Sequence, residues 1–167
     1  MRSNGRNLKR RLQLLGNRLS RAKHYHGYGV HSPFVYSLVR KVLMAKSLFE
    51  GTGTAFYDSL RVEGVSEKSA RQLHNLLYHI EGQSYSINEV GGDVSVLLDN
   101  YPTEKLSMAC EEATSEGVTL VVCQPYLNRE RQNCIKSLVD NHHSTTVDNR
   151  SYIIFFNNKL PKQHYRL

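Results

Sequence analysis

The chain has 167 residues, of which 40% are hydrophobic and 11 are glycine. That is the length of one domain with a real core and the composition of an ordinary globular protein, which excludes wholesale disorder. The longest apolar run, Val118 to Cys123 broken only by Thr119, is far below the roughly 20 residues of a membrane span. No apolar stretch follows the N-terminal basic residues in the manner of a secretory signal. The net charge of +7 is unevenly spread: residues 1–49 carry 11 Lys/Arg and no acid, and residues 50–167 carry the other 11 against all 15 acids. The basicity belongs to the N-terminal segment and not to the body. Three cysteines, Cys110, Cys123 and Cys134, are odd in number and lack CxxC spacing. They argue against a disulfide framework or a cysteine-rich zinc site and for a reducing cytoplasm.

Leu8, Leu12, Leu15 and Leu19 form one helical stripe, with Lys9, Arg10, Arg11, Arg18, Arg21 and Lys23 mostly on the other faces. A polar joint follows from His24 to His31. Ser32 and Pro33 then read as N-cap and first residue of a helix that carries Phe34, Val35, Leu38, Val39, Val42 and Leu43 to about Met44. Residues 50–64, with Gly51, Gly53 and Gly64, are expected to be irregular. Ser66 caps a further helix with Leu73, Leu76, Leu77 and Ile80 on one side, and Gly82 ends it.

Tyr85, Ile87 and Val90 mark a short strand that stops at Gly91-Gly92. Val94 to Leu98 is either a buried strand or the start of a helix, because five residues do not fix a period. Thr103 caps a helix with Leu106, Ala109, Cys110 and Ala113, closed by Gly117. The β-branched run from Val118 to Cys123 reads as a strand buried on both faces and ended by Pro125. Arg129 to Asn141 is helical, with Ile135, Leu138 and Val139 inward. Ser144 to Val147 and Tyr152 to Phe156 are strands joined at Asp148-Asn149, and the tail Lys159 to Leu167 adds a candidate edge strand. The alternation predicts an α/β domain over 49–167, with parallel strands closed by an antiparallel hairpin, after a basic helical segment over 1–48.

The stretch His26-Gly27-Tyr28-Gly29-Val30-His31-Ser32-Pro33-Phe34-Val35-Tyr36 resembles the HGVHSPFVY-like segment near the N-terminus of a group of bacterial, Bacteroidetes-type class I S-adenosylmethionine-dependent methyltransferases. The run from Tyr152-Ile153-Ile154-Phe155-Phe156 through Lys159-Leu160-Pro161-Lys162-Gln163-His164-Tyr165 is similar to the end of that family. Arg129 to Val139 lies where the family has the helix after its fifth strand. The similarity covers about 24–44 and 118–167. It implies a Rossmann-like sheet whose last strand inserts antiparallel. The cofactor would lie over the carboxyl ends of the first strands, on a Gly-rich turn, with an acid after strand two holding the ribose hydroxyls.

The sequence departs from that pattern in three places. The Gly-rich turn has one candidate, Glu89-Val90-Gly91-Gly92-Asp93, which lacks the third glycine. Only 25 residues separate Gly92 from Val118, although a single βαβ unit takes some 30 or more, so the family's second and third strands have no room. Asp99 is the nearest stand-in for the ribose acid. At the end of the buried strand, where the family carries acids, the chain reads Cys123-Gln124-Pro125-Tyr126, which disfavours metal binding or general base work there. Tyr126 and Asn128 read as a surface tyrosine and an N-cap.

The expected fold is thus a reduced Rossmann-like mixed sheet with a C-terminal antiparallel hairpin, preceded by N-terminal helices. The expected function is that of a methyltransferase-like binding or scaffold module without a complete S-adenosylmethionine site, hence without a cofactor. One alternative is an active minimal methyltransferase that binds S-adenosylmethionine through Glu89, Gly91, Gly92 and Asp99. Another is an accessory protein that meets nucleic acid or an anionic membrane surface through Lys9, Arg10, Arg11, Arg18 and Arg21, with Tyr25, Tyr28 and Tyr36 available to stack on bases. Trimming a sheet exposes an edge, so self-association is also expected. A sheet of four strands or fewer between Tyr85 and Phe156 would leave no ledge for an adenosyl group. His24, His26 and His31 read as a structural joint: His-x-His can ligate zinc, but no Cys or carboxylate lies within ligand spacing. His142-His143 reads as a loop after a helix, and Cys134 as a small core residue.

Overall fold

The structure, a computed structural model, describes residues 32–167. The leucine stripe, the His24–His31 joint, and the basic residues Lys9, Arg10, Arg11, Arg18 and Arg21 lie outside the described residues.

Helix α1, Pro33–Leu38, starts as the sequence predicts. Pro33 occupies the first position, and the Ser32 hydroxyl accepts the Val35 N–H at 3.3 Å. It runs on through a π-helical turn, Val39–Leu43, and buries Val35, Leu38, Val39 and Val42. The 50–64 interval is not irregular throughout. Helix α2, Ala55–Val62, forms inside it. Its glycines fall outside the helix, and Phe56 and Leu60, one turn apart, supply the buried stripe that helix formation needs. Helix α3, Glu67–His79, is capped by Ser66, whose hydroxyl accepts the Ser69 N–H at 3.2 Å. Gly82 closes it by donating its N–H to the Leu77 carbonyl.

Six strands follow: β1 (Tyr85–Ile87), β2 (Val94–Leu97), β3 (Thr119–Cys123), β4 (Thr145–Asp148), β5 (Tyr152–Phe155) and β6 (Gln163–Arg166). They lie in the order β1-β2-β3-β5-β4-β6. The pairs β1–β2, β2–β3 and β4–β6 are parallel, and β5 is antiparallel to both its neighbours. Val94 to Leu97 therefore resolves as strand. Helix α4, Leu106–Glu116, precedes β3, and α5, Arg129–Asn141, follows it. Thr103 does not cap α4 with its side chain; it opens a 3₁₀ turn, Thr103–Lys105, that leads into the helix. Gly117 ends α4 at φ 72°, a left-handed conformation that glycine adopts without a Cβ penalty.

The result is a mixed α/β domain in three layers. On one side Val94, Val96, Val121, Val147, Tyr152, Ile154 and Phe156 share a core with α1, α2 and α3. The rings of Phe34 and Phe156 meet edge to face at 5.0 Å and join α1 to the sheet. On the other side Leu97, Leu120, Val122, Ile153 and Phe155 pack against Leu106, Ala109 and Ala113 of α4 and Ile135 of α5. Strand β3 is buried on both faces, as its β-branched run predicts. Among the described residues no helix is long and apolar enough to cross a membrane.

Candidate functional site

Neighbouring parallel strands ordinarily need a crossover of a dozen or more residues. Strands β1 and β2 are joined by six, residues 88–93. The chain achieves the return by three positive φ values, 59° at Asn88, 154° at Gly91 and 67° at Gly92. Two buried serines clamp the return. The Ser86 and Ser95 hydroxyls sit 3.0 Å apart. The Gly91 N–H donates to Ser95 Oγ at 2.9 Å, and Ser86 Oγ lies 2.8 Å from the Glu89 carbonyl. At the start of β1, Asp93 Oδ2 accepts the N–H groups of Gln83 and Ser84, both at 2.9 Å, and the Ser84 hydroxyl at 2.7 Å. Those donors, the Gln83 N–H foremost, hold the Asp93 carboxyl below the usual carboxylate range.

These contacts decide what the diglycine is for. A Cβ on Gly92 would stand 3.0 Å from the Ser84 carbonyl carbon and 3.0 Å from the Tyr85 nitrogen. The close approach that glycine permits is onto the chain's own backbone. At the other end of β1, Asn88 takes over the edge of β2. Its Oδ1 accepts the Leu98 N–H at 2.9 Å, and its Nδ2 donates to Asn100 Oδ1 at 3.0 Å.

Over the carboxyl ends of β1 and β2 lies an open recess of about 610 Å³, lined by Asn88, Glu89, Val90, Asn100, Tyr101 and Lys105 among others. Of the four residues proposed from the sequence to bind cofactor, Glu89 lines it. Gly91, Gly92 and Asp99 do not. Glu89 and Asp99 are exposed.

Arg131 is not marked by any motif in the sequence. It is 1% exposed and stitches the carboxyl edge of the sheet together. One of its terminal nitrogens donates to the carbonyls of Leu98 at 2.9 Å and Cys123 at 3.1 Å, and the other donates to that of Tyr101 at 2.8 Å. Its Nε is buried without a hydrogen-bond partner. Burial lowers the guanidinium's affinity for its proton, and the neighbouring Cys123 and Asp99 oppose that. The missed signal was positional: Arg131 lies one turn before Ile135 and so falls on the apolar stripe of α5.

The remaining polar groups are structural in character. Burial pushes the Cys123 thiol up to about 12 and the Cys110 thiol to about 11, so neither is a thiolate at neutral pH. Cys134 is half-buried, and its thiol is likewise raised by burial. The Tyr126 hydroxyl donates to the buried Asp148, and Asn128 caps α5 by accepting the Arg131 N–H at 2.8 Å. His142 is buried and donates from Nε2 to the Phe156 carbonyl at 3.0 Å. His74 is fully buried. The Thr52 hydroxyl is committed to the Phe49 carbonyl at 2.7 Å, so His74 Nε2 is the donor in its 3.0 Å contact with Thr52. Its Nδ1 then carries the lone pair, buried with no partner. Among the described residues no three His, Cys, Asp or Glu side chains are grouped to hold a metal ion. No family model, curated protein or solved structure matches the chain.

Proposed function

We propose that the chain is a methyltransferase-like scaffold that lacks a complete S-adenosylmethionine site and works as a binding module. The observation that carries this reading is the six-residue return between β1 and β2. A doubly wound sheet runs 3-2-1-4-5-6 and binds its nucleotide beside strand one, over the turn and helix that lead to strand two. If β1, β2 and β3 stand for strands one, four and five, the adjacency β1-β2-β3 is that sheet with strands two and three removed. The helix whose N-terminus would face a cofactor is replaced by a loop, and Asp99 follows a strand that carries no ribose contact in the full fold.

Five strands lie between Tyr85 and Phe156, one more than the count that would by itself have removed the ledge. The reading rests on how β1 and β2 are connected. Three cysteines without a disulfide fit the reducing cytoplasm proposed for the module.

Calorimetric titration of the full chain with S-adenosylmethionine tests it. No heat of binding is expected. A dissociation constant below about 100 μM, or roughly 5.5 kcal/mol of binding free energy, overturns the module in favour of an active minimal methyltransferase.

A further inference from the structure

Helix α5 does not cover all of the sheet face beneath it. Between α5 and the edge strand β6 runs an open trough of about 960 Å³, floored by Ile153, Thr146 and His164 and walled by Ile135, Lys136 and Val139 of the helix. Register puts these strand residues on one face: Thr146 pairs with His164 in β6 and with Phe155 in β5. The loop after β3, with Tyr126, closes one end, and Lys162 stands at the rim.

The charge of this trough is opposite to that of the body around it. Its lining carries four Lys/Arg side chains, Arg129, Lys136, Lys162 and Arg166, against one acid, Asp140. All four are exposed. Residues 50–167 as a whole hold more acids than Lys/Arg, so the cations are concentrated here. Segregation of this kind raises the local concentration of an anionic partner.

Two features narrow the partner. Tyr126 is 40% exposed while its hydroxyl is tied to Asp148, so an aromatic ring is ordered at the mouth before anything binds. The wall also presents the exposed amides of Gln132 and Asn133, each a donor and an acceptor. A partner bearing carboxylates uses donors only. Unpaired bases use donors, acceptors and a stacking surface, and their backbone uses the cations.

We propose that the trough between α5 and β6 binds single-stranded nucleic acid, with Arg129, Lys136, Lys162 and Arg166 on phosphates and Tyr126 stacked on a base. The proposal names the partner of the binding module and rests on that reading.

Fluorescence anisotropy with a labelled oligouridylate of about 12 nucleotides, within the length that single-strand-binding grooves accept, tests it across a salt series. The full chain is compared with the triple substitution Arg129→Gln, Lys136→Gln, Lys162→Gln, and with Lys9→Gln, Arg10→Gln, Arg11→Gln in the N-terminal segment. The trough variant is expected to lose at least about tenfold in affinity. Its slope of log K against log salt is expected to fall by about 2, since each phosphate contact on a single strand contributes about 0.7. Tyr126→Leu is expected to lose about fivefold or more without changing that slope. Three results overturn the proposal: no binding by the full chain at low salt, unchanged affinity and slope in the trough variant, or tighter binding of a polyglutamate of equal length. The two readings fail separately. Heat from S-adenosylmethionine removes the module and leaves the oligonucleotide result standing, whereas an unaffected trough variant removes this partner with the cofactor titration still blank.

Discussion

The two ends of the sheet solve opposite problems. At the β1 end, two parallel strands are forced together by a loop too short for a crossover. Four polar side chains hold that loop: the Ser86 and Ser95 hydroxyls, the Asp93 carboxylate and the Asn88 amide all bond to the chain itself. At the β6 end, the helix above stops short of the last strand, and Arg129, Lys136 and Lys162 are exposed beside a floor of Ile153, Thr146 and His164, with Lys162 Nζ donating to the Asp140 carbonyl at 2.7 Å. One end is spent on structure and the other is left available for contact. A short motif such as Gly91-Gly92 therefore says little about ligand until the rest of its hydrogen-bonding neighbourhood is known.

Substitutions should divide along the same line, destabilising the inward-directed network and sparing the trough. The largest effect is expected at Arg131, which holds the chain after β2 and the end of β3 to α5. Arg131→Ala leaves the carbonyls of Leu98, Tyr101 and Cys123 without their donors and should cost about 3–5 kcal/mol in urea unfolding. A loss under about 1 kcal/mol would mean that water replaces the guanidinium freely.

Next comes Gly92→Ala, which combines a left-handed backbone with a Cβ 3.0 Å from main-chain atoms. It should cost about 2–3 kcal/mol in the same measurement, and a loss under about 1 kcal/mol would show that the neighbouring main chain gives way freely.

Acid should loosen both ends. His74 and His142 have pKa values lowered by burial, so the unfolded chain binds more protons than the folded one below about pH 6.5. Their contribution is present above that pH and is lost as pH falls through the lowered folded values. Asp93, also lowered, adds a loss at still more acid pH, below about 3.9. Thermal unfolding measured from pH 8 to about 4 should show the histidine part of this decline, and His142→Gln should shrink it. A flat profile would remove both histidines from the account.

The smallest effect belongs to the trough. Arg129→Gln, Lys136→Gln and Lys162→Gln should each change stability by less than about 0.5 kcal/mol, because exposed charges contribute little. A larger loss would make that surface structural too, and the contrast between the two ends would disappear.

Much of the fold was legible because it rests on local chemistry. Ser32-Pro33, Ser66, Gly117 and Asn128 mark helix ends where caps satisfy free backbone groups, and Thr119 to Cys123 reads as buried strand from its composition alone. Helix α2 was missed because its glycines flank it closely and its two buried residues, Phe56 and Leu60, are too few to announce a period. The site was less legible. That Gly91-Gly92 turns back on Ser84 depends on the pairing of β1 with β2, a contact that no spacing encodes. Burial of Arg131 beneath three carbonyls, and the gap between α5 and β6, are likewise products of tertiary packing.

The brevity of the β1–β2 connection also bears on how the chain folds. Closing a loop of six residues costs about 1 kcal/mol less entropy than closing a crossover several times longer. Parallel sheets are usually slow to assemble because their pairings are distant along the chain. Here one such pairing is nearly local, which shortens the mean separation along the chain of the sheet's contacts.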